Sequence, residues 1–263
     1  MNKVIFKWIL VLVLFFPNSI YSQISGKVVY KSVLESEAFN ELESTLYFKG
    51  MESYFYVKMN PDELLNDAED LKFIDDSKVQ YEFDFTLKRP TRYEVYINRN
   101  TNGISTQSSI FKDGSTIPCV VLEETGTMNW QIESETKRIS SFLVQKATIK
   151  FRGRSYEAWF APEIPISIGP WKFHGLPGLI LEIYDQELGV QFLFHSIEIP
   201  YETNEIIQEP SNGIKIPIAE YMDHNKRFGE EFLKLVKAKL PREVSITEIS
   251  MKRVNRSIER EYE

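Results

Sequence analysis

The chain has 263 residues, a formal net charge of −7, 43% hydrophobic and 13% aromatic residues, and a single cysteine. An acidic balance without a dense basic stripe argues against nucleic acid as a partner, because that binding depends on neutralising phosphates with Lys and Arg. The apolar content fits one large folded domain rather than a disordered chain, and one cysteine excludes an intramolecular disulfide.

Met1, Asn2 and Lys3 precede an apolar run over residues 4–16, broken only by Lys7, and then "PNSIYSQ" with the small Ser22. A basic start, an apolar centre and a small residue near a break describe a signal peptide over residues 1–22, cleaved near Ser22. The alternative is a membrane anchor, but the run falls short of the ~20 residues a spanning helix needs, so no stable transmembrane anchor is expected after cleavage. No cysteine follows the run to carry a lipid. The expected location is the periplasm, or the outer membrane or cell surface.

A single β-rich domain is expected over residues 23–250. "GKVVYKSVL", "STLYFKG", "SYFYVKM", "KVQYEFDFTLK" and "RYEVYIN" are β-branched and aromatic with partial alternation, the pattern of strands. Gly50 and Met51 sit where a hairpin turn belongs. The acidic stretch over residues 59–78 reads as a loop with a short helical turn after Pro61, and residues 98–107 as a second loop. Cys119, in "IPCVVLE", reads as a buried, inert thiol with no basic neighbour to lower its pKa.

Further on, "TMNWQIE", "SFLVQKATIKF" and "RSYEAWFAP" read as successive antiparallel strands, with Gly153 turning the last hairpin. Alternation puts Trp159 on the opposite face from Ala158 and Phe160. Pro162, Pro165, Gly169 and Pro170 forbid a helix and make the next segment an extended crossing. In "GLPGL", Pro177 and Gly178 suit the central positions of a type II turn, with Gly178 at positive φ. "LILEIYD" and "VQFLFHSIEI" pair around "QELG". Only residues 217–240 have convincing helical spacing, weakened by Gly229 and stopped by Pro241. Residues 251–263 form a charged tail. The resulting expectation is a mainly β fold, a curved antiparallel, half-barrel-like sheet with one C-terminal α-helix.

The block over residues 146–185, "KATIKFRGRSYEAWFAPEIPISIGPWKFHGLPGLILEIYD", resembles the GLPGLI family, exported proteins of one phylum of Gram-negative bacteria named for the stretch from Gly175 to Ile180. That resemblance implies an exported envelope protein with no established activity, so it transfers no catalytic residue. Similar members often carry a cysteine just before "KAT", where this chain has Val144, which leaves any redox, metal or disulfide role of that cysteine without support. The block is also similar in architecture to exported half-barrel proteins that carry lipoproteins, an analogy of fold alone.

No G-x-S-x-G, H-E-x-x-H, Walker or G-x-G-x-x-G motif occurs, and no cofactor or metal is implied. The expected function is therefore non-enzymatic binding of an apolar small molecule, lipid or peptide, or of an envelope protein, in a hollow lined by Trp159, Trp171 and Phe173. Those rings suit either a core or the rim of an apolar site. Arg152, Arg154 and His174 are candidates for orienting a ligand, with Gly175, Pro177 and Gly178 as the structural turn. Arg152 and Arg154 read equally as solvated charges at a hairpin tip. The competing reading is a metal-dependent hydrolase using His174 with Glu163 or Asp185, which requires His174, His195 and His224 to converge. Glu157 and Glu163 flank Trp159 as a possible acid–base pair, against the plainer reading of solvated surface acids. A third class is an interaction module whose exposed strand edge pairs with a partner.

Overall fold

The computed structural model describes residues 24–34, 42–58, 69–75, 80–85, 92–202, 207–239 and 246–251. The signal segment, most of the charged tail and the helical turn expected after Pro61 lie outside these residues. The fold is mainly β with one described helix, at the C-terminal end. The strands are β1 (Ser25–Leu34), β2 (Leu42–Lys49), β3 (Glu52–Lys58), β4 (Glu69–Asp75), β5 (Gln80–Phe85), β6 (Arg92–Asn98), β7 (Gly103–Lys112) and β8 (Ser115–Glu124). Then come β9 (Gln131–Ile139), β10 (Phe142–Phe151), β11 (Arg154–Ala161), β12 (Leu179–Asp185), β13 (Val190–Glu198), β14 (Ile214–Pro217), the helix α1 (Ile218–Lys239) and β15 (Ile246–Met251).

Twelve strands form one open sheet in the order β14-β8-β7-β6-β3-β2-β1-β13-β12-β11-β10-β9. All its pairings are antiparallel except β14 on β8. Turn chemistry sets the hairpins where expected: Gly50 has φ 59° between β2 and β3, and Arg152 and Gly153 have φ 51° and 74° between β10 and β11, the left-handed pair a two-residue hairpin loop requires. The helix packs Phe228 and Phe232 against Phe111 of β7.

Two expectations are corrected. Part of the acidic stretch is a strand, β4, which pairs with β5 and with β15 far along the chain. The second loop is shorter than residues 98–107, because β7 begins at Gly103.

The sheet curls strongly. Eight strand spacings separate β8 from β11 in the sheet order, about 38 Å if the sheet were flat. Yet Glu123 near the end of β8 forms an ion pair of 2.5 Å with Arg152 at the β10–β11 turn. Phe55 of β3 and Phe192 of β13, three spacings apart in the order, also meet edge to face at 5.5 Å. The concave side holds one continuous apolar core that includes Tyr30, Leu46, Phe55, Val95, Tyr156, Phe160 and Ile183.

Candidate functional site

The chain between β11 and β12, residues 162–178, fills the concavity. Its ends are tied by main-chain bonds from Leu179 N to Ile164 O at 3.0 Å and from Ile180 N to Ile168 O at 3.0 Å, so it forms a closed loop. Trp171 is 1% exposed, and its indole N–H donates across the concavity to the Tyr93 hydroxyl of β6 at 2.9 Å. Its ring meets Phe151 and Phe173 edge to face at 5.6 and 5.1 Å, and Phe173 meets Tyr156 at 4.8 Å. Trp130 joins from below, its ring beside Phe173 and its N–H donating to the His174 carbonyl at 2.7 Å.

This arrangement corrects the expected hollow. Tyr156 touches Phe173, so Tyr156 and Ala158 face the concave core, and alternation places Trp159 on the opposite, convex face. The sheet itself lies between Trp159 and the Trp171–Phe173 pair. On the convex face Trp159 donates its N–H to Glu157 Oε1 at 2.9 Å, and the Lys137 ammonium sits 4.3 Å from its ring centroid. The three rings therefore do not line one cavity.

The candidate polar groups are spent inside the fold. Arg154, beside β12, makes an ion pair of 2.6 Å with Asp185 in which both side chains are buried, and Asp185 also accepts the Val190 N–H at 2.9 Å. Arg152 and Lys172 share Glu123. Neither arginine is a solvated tip charge or an open anion contact. The Lys172–Glu123 pair fastens the crossing to the end of β8, Arg152 adds the β10–β11 turn to the same carboxylate, and Arg154–Asp185 joins β11 to β12.

His174 turns Nδ1 to the Lys172 carbonyl at 2.9 Å and Nε2 to the Gly126 carbonyl at 3.1 Å. Both ring nitrogens face carbonyl oxygens, which only accept, so the neutral ring donates to one of the two according to its tautomer. His195 is exposed on β13, and His224 is buried on α1 with Glu220 3.9 Å away. Among the described residues no three His, Cys, Asp or Glu side chains gather as a metal site requires. Glu157 lies on the convex face with Trp159, whereas exposed Glu163 accepts the Leu143 N–H at 3.3 Å. Cys119 is buried, and burial pushes its thiol up to about 11.

The turn residues act differently from the type II expectation. Gly175, at φ 93°, takes the left-handed conformation, and Gly178 does not. Gly178 is required by proximity, since a Cβ there would lie 2.3 Å from the Ala161 carbonyl oxygen. Pro177 is exposed at the bend.

What single-residue reasoning missed is the convex cluster on β9 to β12. Lys146, Trp159 and Glu182 are directly opposite one another across β10, β11 and β12. Tyr184 donates to Glu157 Oε1, Lys146 lies 3.0 Å from Glu157 Oε2, and Lys137 lies 2.7 Å from Glu182. Burial raises the Glu157 carboxyl, but bonds from Tyr184, Lys146 and Trp159 outweigh it and hold the group below its ordinary value. Charges and aromatics at every second position of three adjoining strands were the available signal.

At the end of this cluster lies an open edge. Among the described residues β9 pairs with β10 alone, and six of its nine residues are exposed, including Ser134, Glu135, Thr136 and Arg138. The other edge, β14, has four residues, three of them exposed, and runs directly into α1. Ile139 and Phe142 close a two-residue turn, so by antiparallel alternation the backbone groups of Arg138 and Thr136 point away from β10.

A model of a family described as a protein of unknown function, Porph_ging, matches residues 150–182, from the β10–β11 turn through the crossing into β12. No curated protein matches. Two solved structures of PNGF-II, in the P21 and C2 space groups, are similar to this chain at 16% and 15% identity with TM-scores of 0.48 and 0.49. Each similarity covers 76% of this chain and 32% of the PNGF-II chain, so this chain spans about a third of that length. No helix of the described residues is long and apolar enough to cross a membrane.

Proposed function

We propose that this is a GLPGLI-type exported protein of the cell envelope, and that it works without catalysis by pairing an extended strand of a partner protein along β9. The observation carrying this reading is the contrast in length between the two sheet edges, one a four-residue strand, the other nine residues long and largely exposed. Unpaired N–H and C=O groups on such an edge are a template for an added strand. The secretory pattern of residues 1–22 supports export, and the match over residues 150–182 supports the family. Carriage of a lipid in the concavity loses its support, because the chain's own Trp171 and Phe173 occupy that space. His174 likewise turns both ring nitrogens toward backbone carbonyls, and no acid cluster gathers around it among the described residues.

The test is capture of envelope proteins on immobilised mature protein, comparing wild type with Thr136→Pro, which removes an outward N–H. Capture should fall to background in the variant while its far-UV circular dichroism is unchanged. Equal capture by both proteins would refute edge pairing.

A further inference from the structure

We propose that the strand received by β9 is β9 of a second copy of this chain, giving a twofold dimer across the open edge. The inference rests on the edge-pairing reading above and adds the identity of the partner. Three observations lead to it.

The first is the order of charges. β9 carries Glu133 and Glu135 in its first half and Lys137 and Arg138 in its second. Charged side chains on an edge strand oppose its pairing with another chain unless the partner presents the opposite charge at each position. Here an antiparallel copy presents base to acid, while a parallel copy in register would set like against like.

The second is register. With Thr136 on the twofold axis, Glu135 faces Lys137 of the second copy and Lys137 faces its Glu135. Thr136 then faces Thr136, and Arg138 faces Ser134. Opposite charges and threonine pairs directly across an antiparallel ladder are both stabilising. A slip that centres the axis on Glu135 would put two glutamates face to face.

The third is backbone direction. The outward groups of Thr136 and Arg138 fall in the bonded positions of that same register. The side chains are accessible too: Glu135 is 58% and Lys137 36% exposed, even with Lys146 and Glu182 as partners within the chain. The β10–β9 register shifts between Gln145 and Ala147, so residues 133–135 bulge. The ladder between copies is therefore short, centred on residues 134–138, and the dimer is reversible and sensitive to salt.

Sedimentation velocity of the mature protein across a concentration series tests this. A reversible dimer is expected, weakened by added sodium chloride. Glu135→Lys sets lysine against Lys137, and Lys137→Glu sets glutamate against Glu135. Each should raise the dimer dissociation constant about tenfold or more. An equimolar mixture of the two variants should associate as tightly as wild type, because the mixed pair restores opposite charges at both positions. If Lys137→Glu disturbs the Trp159 cluster, as a lowered melting temperature would show, Glu135→Lys and Thr136→Pro carry the comparison instead. A monomer at every concentration, or a dimer indifferent to Glu135→Lys and Thr136→Pro, overturns the proposal. If the protein is monomeric but still captures a different envelope protein in a Thr136-dependent way, self-pairing fails and edge pairing stands. Loss of both removes both.

Discussion

Trp171→Ala separates a structural ring from a ligand-lining one. The ring is 1% exposed, contacts Phe151 and Phe173, and donates to Tyr93. A tryptophan buries roughly 150–250 Å², about 4–6 kcal/mol at about 25 cal/mol per Å², and truncation of buried aromatics costs about 3–5 kcal/mol. The Tyr93 hydroxyl also loses a donor. The expected loss is about 4 kcal/mol, a large share of the roughly 5–15 kcal/mol that holds a domain folded. The backbone supplies an internal control. Trp171 sits at φ 56°, a conformation costing about 1–2 kcal/mol for a residue with a Cβ, so Trp171→Gly should be more stable than Trp171→Ala by about 1 kcal/mol. Urea unfolding followed by far-UV circular dichroism measures both. A loss under about 1 kcal/mol for Trp171→Ala would mean that the ring is not part of the core and that the filled-concavity account is wrong.

Glu123→Gln should destabilise by about 3 kcal/mol, since it leaves Lys172 and Arg152 without their shared buried carboxylate; adding Lys172→Met should recover much of that loss in the same unfolding assay. Acidification tests the convex cluster. The folded Glu157 carboxyl lies below its ordinary value of 4.5, so its contribution is present above about that pH and is lost as pH falls through the lower folded value. Urea midpoints measured between neutral pH and pH 3 should drop on the acid side, and Glu157→Gln should flatten part of that drop.

The parts of the fold legible in sequence are those governed by neighbours along the chain. Gly153 marked the β10–β11 turn, and the pairing of the two strands runs out from it. Alternation put Trp159 on the face away from Ala158. Followed further, it excluded a hollow shared with any ring packed on the Ala158 side, but which side the crossing took is a tertiary fact. The path of residues 162–178 depends on Tyr93 and Glu123, far away in sequence, to which Trp171 and Lys172 attach. Lys172 between two core aromatics was the visible hint, because a charge inside an apolar run needs a buried partner. β4 escaped notice for a similar reason: its acids blur the period, and its pairing with β15 is set by contacts across most of the chain. Pro177 and Gly178 misled because a glycine can be required by a close carbonyl as well as by positive φ.

Hydrogen–deuterium exchange at low and high protein concentration tests the central claim most directly. The account predicts that amides over residues 171–180 exchange slowly at both concentrations, and that protection gained on concentrating appears at residues 134–138 of β9. Rapid exchange over residues 171–180, with β9 unchanged, would contradict both the filled concavity and the working edge.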